Sequence, residues 1–208
     1  MSLSNKINIT PKLTSSYYDK KINLSGKFKS FSGMTCISMC CGNDQHGNYF
    51  PTNLKSIEKL FNTSIILQKH FQSVPHSSYH MTIFGFQNDH IVKRNLIQTD
   101  INKLRSISNY QFPLKLKIVN IFIGKTLGID VEFVCHELRH FYNKWNQEKK
   151  YPFHITLAYK RTDQPIPFQD KIFHREIHQL RDLINENEFY VSMPQIMTYD
   201  SLDYFYPL

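Results

Sequence analysis

Cysteine, glycine and tryptophan are all scarce in this 208-residue chain, which has four Cys, seven Gly and one Trp. The cysteines, Cys36, Cys40, Cys41 and Cys135, are too few and too irregularly spaced to form a disulfide scaffold. No second pair stands at zinc-ribbon spacing, so they read as reduced, mostly buried thiols. The low glycine content excludes a collagen-like repeat, and no low-complexity tract is present. No apolar run approaches the roughly 18–20 residues of a membrane helix. Residues 1–12 are polar, so no secretory leader is expected, and the reading is a cytoplasmic protein with no membrane partner. Acidic residues are in the minority, 17 Asp+Glu against 25 Lys+Arg, leaving a formal net charge of +8. That balance favours anionic partners such as nucleotides, RNA or phosphate esters, although the lysines come as scattered pairs and not as a stripe.

Apolar material is plentiful, at 41% of residues with 14% aromatic, which suffices for a well-filled interior. Residues 1–27 are polar and lysine-rich and read as an N-terminal arm, with residues 28–208 as one domain. Strands are expected at 31–39, 79–86, 114–123, 127–134 and 153–160, with Gly124-Lys125-Thr126 as a hairpin turn. Helical periodicity marks a segment from Leu54 to Phe71, capped by Asn53 and ended before Pro75. A second helix, capped by Asn88 or Asp89, carries Ile97, Ile101 and Leu104 on one face. Further helices fall at 135–148 and around Ile177, Leu180 and Ile184, and one or two strands at 189–206. Strands and helices mix without a regular βαβ rhythm, which indicates an α+β fold.

One short pattern occurs twice. Ser78-Tyr79-His80-Met81-Thr82-Ile83-Phe84 and Pro152-Phe153-His154-Ile155-Thr156-Leu157-Ala158 share aromatic, His, apolar, Thr, apolar in register. A single His-x-Thr is common. Two copies embedded in strands suggest a duplicated unit. Side chains alternate along a strand, so His80 and Thr82 share one face, as do His154, Thr156 and Lys160, while Met81, Ile83, Ile155 and Leu157 face the other way. An imidazole beside a hydroxyl suits the wall of a cleft better than a core. Two such walls can serve a phosphodiester without a metal or cofactor. One imidazole takes a proton from the attacking oxygen, the other gives one to the leaving oxygen, and the threonines donate to non-bridging oxygens. Lys160 and Phe84 are candidate substrate-contacting residues on the same faces, for a second phosphate and a base respectively. Tyr199, Tyr204 and Tyr206 are possible wall residues that the sequence does not place.

These paired motifs, 74 positions apart, resemble the signatures of the two-histidine (2H) phosphoesterase superfamily, which includes 2′-5′ RNA ligase-like proteins and cyclic phosphodiesterases. The run Val74-Pro75-His76-Ser77-Ser78-Tyr79-His80 is similar to a little-characterised branch in which Pro and Ser precede the first motif. The resemblance implies a bilobal, duplicated α+β fold with two antiparallel sheets around a central cleft and helices outside. It implies His80, Thr82, His154 and Thr156 as the catalytic set, and a 2′,3′-cyclic phosphate or 2′-5′ linkage of a nucleotide or RNA fragment as the substrate. The alternative is a non-catalytic RNA- or nucleotide-binding module that uses the same cleft.

A competing motif is His136-Glu137-Leu138-Arg139-His140, which fits the His-Glu-x-x-His helix of zinc proteases. Leu138, Phe141, Tyr142 and Trp145 form the apolar stripe of that helix, and both histidines fall on the opposite side. Zinc hydrolysis needs them in a walled cleft with a third ligand. The expectation is a solvated helix face and no metal site.

Overall fold

The computed structural model describes residues 21–23, 27–30, 32–43, 49–50, 54–86, 91–106, 112–133, 136–145, 153–161, 165–201 and 204–207. Most of the proposed N-terminal arm, and the cap residues Asn53, Asn88 and Asp89, lie outside these. In chain order the elements are β1 (Gly33–Asn43), β2 (Tyr49–Phe50), α1 (Lys55–Thr63), α2 (Ile65–His70), β3 (Phe71–Ser73), β4 (His80–Phe86) and α3 (Ile91–Ser106). There follow β5 (Leu114–Ile123), β6 (Thr126–Phe133), α4 (His136–Trp145), β7 (Phe153–Lys160), α5 (Lys171–Glu186), β8 (Tyr190–Val191), β9 (Gln195–Ser201) and β10 (Tyr204–Pro207). The periodic segment 54–71 is two helices, because buried Ser64 breaks it. Its backbone is extended, and its hydroxyl caps α2 by accepting the Leu67 N–H at 3.3 Å.

The arrangement of strands corrects the expectation of two sheets around a cleft. Every long strand joins one antiparallel sheet in the order β10-β9-β1-β4-β7-β6-β5-β8, and β8 pairs back onto β1. The ring β1-β4-β7-β6-β5-β8 is therefore a closed six-stranded barrel, with β2, β3, β9 and β10 as additions. Closure rests on two residues. Val191 stands opposite both Cys40 and Leu114, and Tyr190 opposite both Cys41 and Lys115. Flanking backbone bonds extend the joint: Leu116 N–H to the Phe189 carbonyl at 2.8 Å and Ser192 N–H to the Met39 carbonyl at 2.9 Å. So short a strand has no periodic signature, which is why the ring is invisible in the sequence pattern.

Alternation decides which face is which. Met81, Ile83, Ile155, Leu157, Ile129, Val131 and Ile121 are all 5% exposed or less and form one cluster with the apolar faces of the helices. From α4, Leu138, Phe141 and Tyr142 enter that cluster; the Tyr142 ring stacks on Phe133 at 4.4 Å between centroids, and its hydroxyl bonds Ser38. Helices can lie only outside a closed barrel, so this face is the outer one. The opposite face, bearing the histidines of β4 and β7, turns inward. Buried Ile22, bridged to Phe28, adds the first of the described residues to the core. Cys36 and Cys40 are buried thiols, and burial pushes Cys36 up to about 12. Among the described residues no helix is long and apolar enough to cross a membrane.

Candidate active site

The two histidine strands are direct neighbours and not opposing walls. β4 and β7 pair antiparallel with Met81 opposite Ile155. A pair centred there sets His80 across from Thr156 and Thr82 across from His154, all on the inward face. The site thus extends over two adjacent rows that run through the sheet. In one row Met39 stands opposite His80, and Thr156 opposite Gly128, which in turn faces Phe122. In the other, Ile37 stands opposite Thr82, and His154 opposite Asp130, which faces Asn120. The two imidazoles occupy diagonal positions, whose Cβ atoms in such a ladder lie about 7 Å apart, a span that suits one phosphate group. Within the described residues no hydrogen bond engages the hydroxyl of Thr82 or Thr156.

The local sequence sets how His80 is held. Pro75 leads into a single 3-10 turn, His76–Ser78, anchored by Glu58 of α1, which accepts the His76 backbone N–H at 2.9 Å and also bonds its ring. The turn leaves the Ser78 carbonyl under the next strand, where the His80 Nδ1 meets it at 2.7 Å. A carbonyl only accepts, so Nδ1 carries hydrogen and Nε2 is the free nitrogen of the neutral ring. The Phe205 ring sits against His80 with centroids 4.4 Å apart. Desolvation in this closed setting holds the imidazole down to about 4, against the pull of the Ser78 carbonyl, and the charges of Lys21 and His154 act in the same downward direction.

Different partners surround His154. Phe122 approaches it edge-on, 5.6 Å between centroids, and this is possible because its own cross-strand partner is Gly128. A Cβ on Gly128 would lie 2.6 Å from the Phe122 ring. Asp130 is half-buried. Burial raises its carboxyl above the ordinary range, while the attraction of His154 and a hydrogen bond from Asn120 oppose that rise. A parallel device serves the other histidine: Tyr199 lies over Gly33, where a Cβ would meet its hydroxyl at 2.4 Å, and Tyr199 in turn contacts Phe205 at 5.5 Å.

The remaining candidates from the sequence go elsewhere. A register shift between Cys36 and Ile37 breaks the alternation of β4 against β1. Beyond it, the Phe84 ring meets Phe86 at 5.2 Å and Trp145 of α4 at 6.2 Å, with the Lys93 ammonium 5.5 Å above it. Lys160 ends β7 opposite Phe71, and its charge acts on His70. Tyr204 and Tyr206 are exposed. His136 and His140 are exposed on α4, whereas Leu138 is buried. Sequence reasoning missed Asp130, Phe122, Phe205 and Lys21. For Asp130 a signal existed: it is the one carboxylate in the middle of the alternating run Leu127-Gly128-Ile129-Asp130-Val131.

With this geometry in view, the chain matches a family model described as 2H-phosphodiesterase, a domain of unknown function (DUF1868), over residues 21–136. The match takes in His80 and Thr82 and ends before the second motif. Uncharacterized protein 127L of Invertebrate iridescent virus 6 is 24% identical, over 92% of this chain and 95% of its own. In fold, the chain is similar to the crystal structure of ATU0111, a conserved protein of unknown function from Agrobacterium tumefaciens str. C58. That likeness has a TM-score of 0.58 at 15% identity and covers 95% of this chain and 93% of that one. Since the family match spans more than half of the sequence and includes the first histidine strand, the chain belongs to the 2H-phosphodiesterase domain family of unknown function, DUF1868.

Proposed function

We propose that the protein is a phosphodiesterase for a nucleotide or an RNA-derived fragment, with a 2′,3′-cyclic phosphate or a 2′-5′ linkage as the scissile group. The observation that carries this reading is the pairing of the two His-x-Thr strands, which gathers two imidazoles and two hydroxyls on one inward face. In the proposed reaction one neutral imidazole takes a proton from water as its oxygen bonds to phosphorus. The other, protonated, gives its proton to the departing ribose oxygen as that P–O bond breaks. Water is consumed, a phosphomonoester forms, and the two histidines end with their protonation exchanged. Thr82 and Thr156 donate to the non-bridging oxygens, where charge builds up. Phe122 and Phe205, one beside each histidine, offer apolar faces suited to a nucleoside. The net charge of +8 favours an anionic ligand.

The test is a screen of 2′,3′-cyclic nucleotides and of 2′-5′ and 3′-5′ dinucleotides, with the products identified. Turnover of one class that is lost in both His80→Ala and His154→Ala supports the reading. Binding of the same compounds without turnover would overturn it in favour of a nucleotide-binding module.

A further inference from the structure

We propose that Asp130 is a positioning residue for His154, holding its ring in the charged, proton-donating form, so that His154 is the acid and His80 the base. The inference rests on the phosphodiesterase reading for the word acid, but its physical content is a property of the folded chain. The geometry is a cross-strand ladder. Asn120, Asp130 and His154 are consecutive partners across β5, β6 and β7 and share the inward face. Directly opposed residues in an antiparallel pair have Cβ atoms about 5 Å apart, near enough for the Asp130 carboxylate and the His154 ring to attract through space. Asn120 donates to Asp130, a bond that favours the ionised carboxylate and holds it in place.

The other charged groups around His154 do not supply that function. From β4 the diagonal neighbour is His80, whose charge would oppose protonation of His154. Two residues along β6 from Asp130, Glu132 is exposed and paired with Lys117 of β5 at 3.5 Å. On β7 itself the next charged residue is Lys160, which ends the strand opposite Phe71 and adds only positive charge. His80, by contrast, has no carboxylate opposite it, since Met39 is its partner on β1 and the pair Met81–Ile155 sets Thr156 across from it on β7. It carries its hydrogen on the nitrogen bonded to Ser78, leaving Nε2 as an acceptor. The leaving oxygen should therefore lie on the His154 side and the attacking water on the His80 side.

The experiment is an NMR titration of the imidazoles in the full chain, wild type against Asp130→Asn, with Asp130→Glu as the conservative rescue. In wild type, His154 should titrate at higher pH than His80. In Asp130→Asn its midpoint should fall by about one pH unit or more, in line with the loss of a neighbouring opposite charge. Asp130→Glu should recover most of that shift. The alkaline limb of kcat/KM should move down by the same amount, giving Asp130→Asn about a tenfold loss or more at high pH and little loss at low pH. A His154 midpoint that lies below that of His80, or that Asp130→Asn leaves in place, would overturn the proposal. If no phosphodiester is turned over, the functional reading falls, while the titration still decides the role of Asp130. If Asp130→Asn fails to fold, the wild-type order of midpoints still decides which histidine is the acid, and the His154 midpoint in Asp130→Glu, expected close to that of wild type, tests the carboxylate.

Discussion

The strand carrying His80 and the strand carrying His154 repeat one motif in two environments. At His80 a backbone carbonyl fixes the ring, an aromatic ring presses on it, and desolvation keeps it neutral. At His154 the ring faces a half-buried carboxylate across the ladder and an aromatic ring that leans over a glycine. Identical side chains at equivalent strand positions thus acquire opposite electrostatic surroundings from their cross-strand partners. Acid–base chemistry with two histidines uses one neutral and one protonated ring at the same time, a state that such an inequality favours.

The largest expected break in this comparison is removal of either ring. His80→Ala and His154→Ala should each lower kcat by about 10² to 10⁴-fold on a substrate found in the screen. Thr82→Val and Thr156→Val, which keep the β-branched shape, should cost about 10² with an unchanged thermal midpoint. Circular dichroism melts alongside steady-state rates check both, and near-normal turnover in either His variant would require another acid or base.

A smaller contrast concerns the two glycines. In Gly128→Ala the new methyl would meet the Ile155 backbone carbonyl at 2.4 Å, which cannot move cheaply, so urea unfolding should show a loss of about 1–3 kcal/mol. In Gly33→Ala the obstacle is the far end of Tyr199, which can swing aside. That variant should lose well under half as much stability, and should raise KM more than it lowers kcat, because Tyr199 backs the Phe205 ring at His80.

Acid sharpens the comparison further. With its folded pKa lowered to about 4 from 6.5, His80 binds a proton more readily in the unfolded chain, so its contribution to stability is full above pH 6.5 and is lost as pH falls towards 4. The difference in Tm between wild type and His80→Asn should therefore shift against wild type across that window. A constant difference would mean that the imidazole is not desolvated. The smallest effect belongs to the helix-borne histidines: His136→Ala and His140→Ala, exposed on α4, should leave both the rate and the melt within error.

Much of this was legible in the sequence because the long strands carry strong alternation. The segments 114–123 and 153–160 coincide with β5 and β7, and the sharing of one strand face by His80 with Thr82, and by His154 with Thr156, follows from period two alone. The sheet arrangement was not legible. It depends on which strands pair, and the decisive joint, Tyr190–Val191, is too short to leave a pattern. Asp130 went unrecognised for a related reason: 24 positions separate it from His154 in the chain, and only the register of β6 against β7 brings them together. Phe84 shows the converse failure, where one register shift in β1 against β4 defeats an argument from alternation.

That two-residue joint also orders events along the chain as it is made. β1 emerges well before two of its partners, β8 and β9, with Val191 pairing Cys40 across some 150 residues. Until they arrive, one edge of β1 has β4 on one side and nothing from the C-terminal segment on the other, and β5 likewise waits for Tyr190 and Val191. Contacts of such sequence separation form late, after the local hairpin of β5 and β6. A chain cut short before Phe189 would keep its hydrophobic cluster largely intact while presenting two unsatisfied sheet edges, a template for self-association. β8 and β9 therefore act less as appendages than as the chaperone of β1.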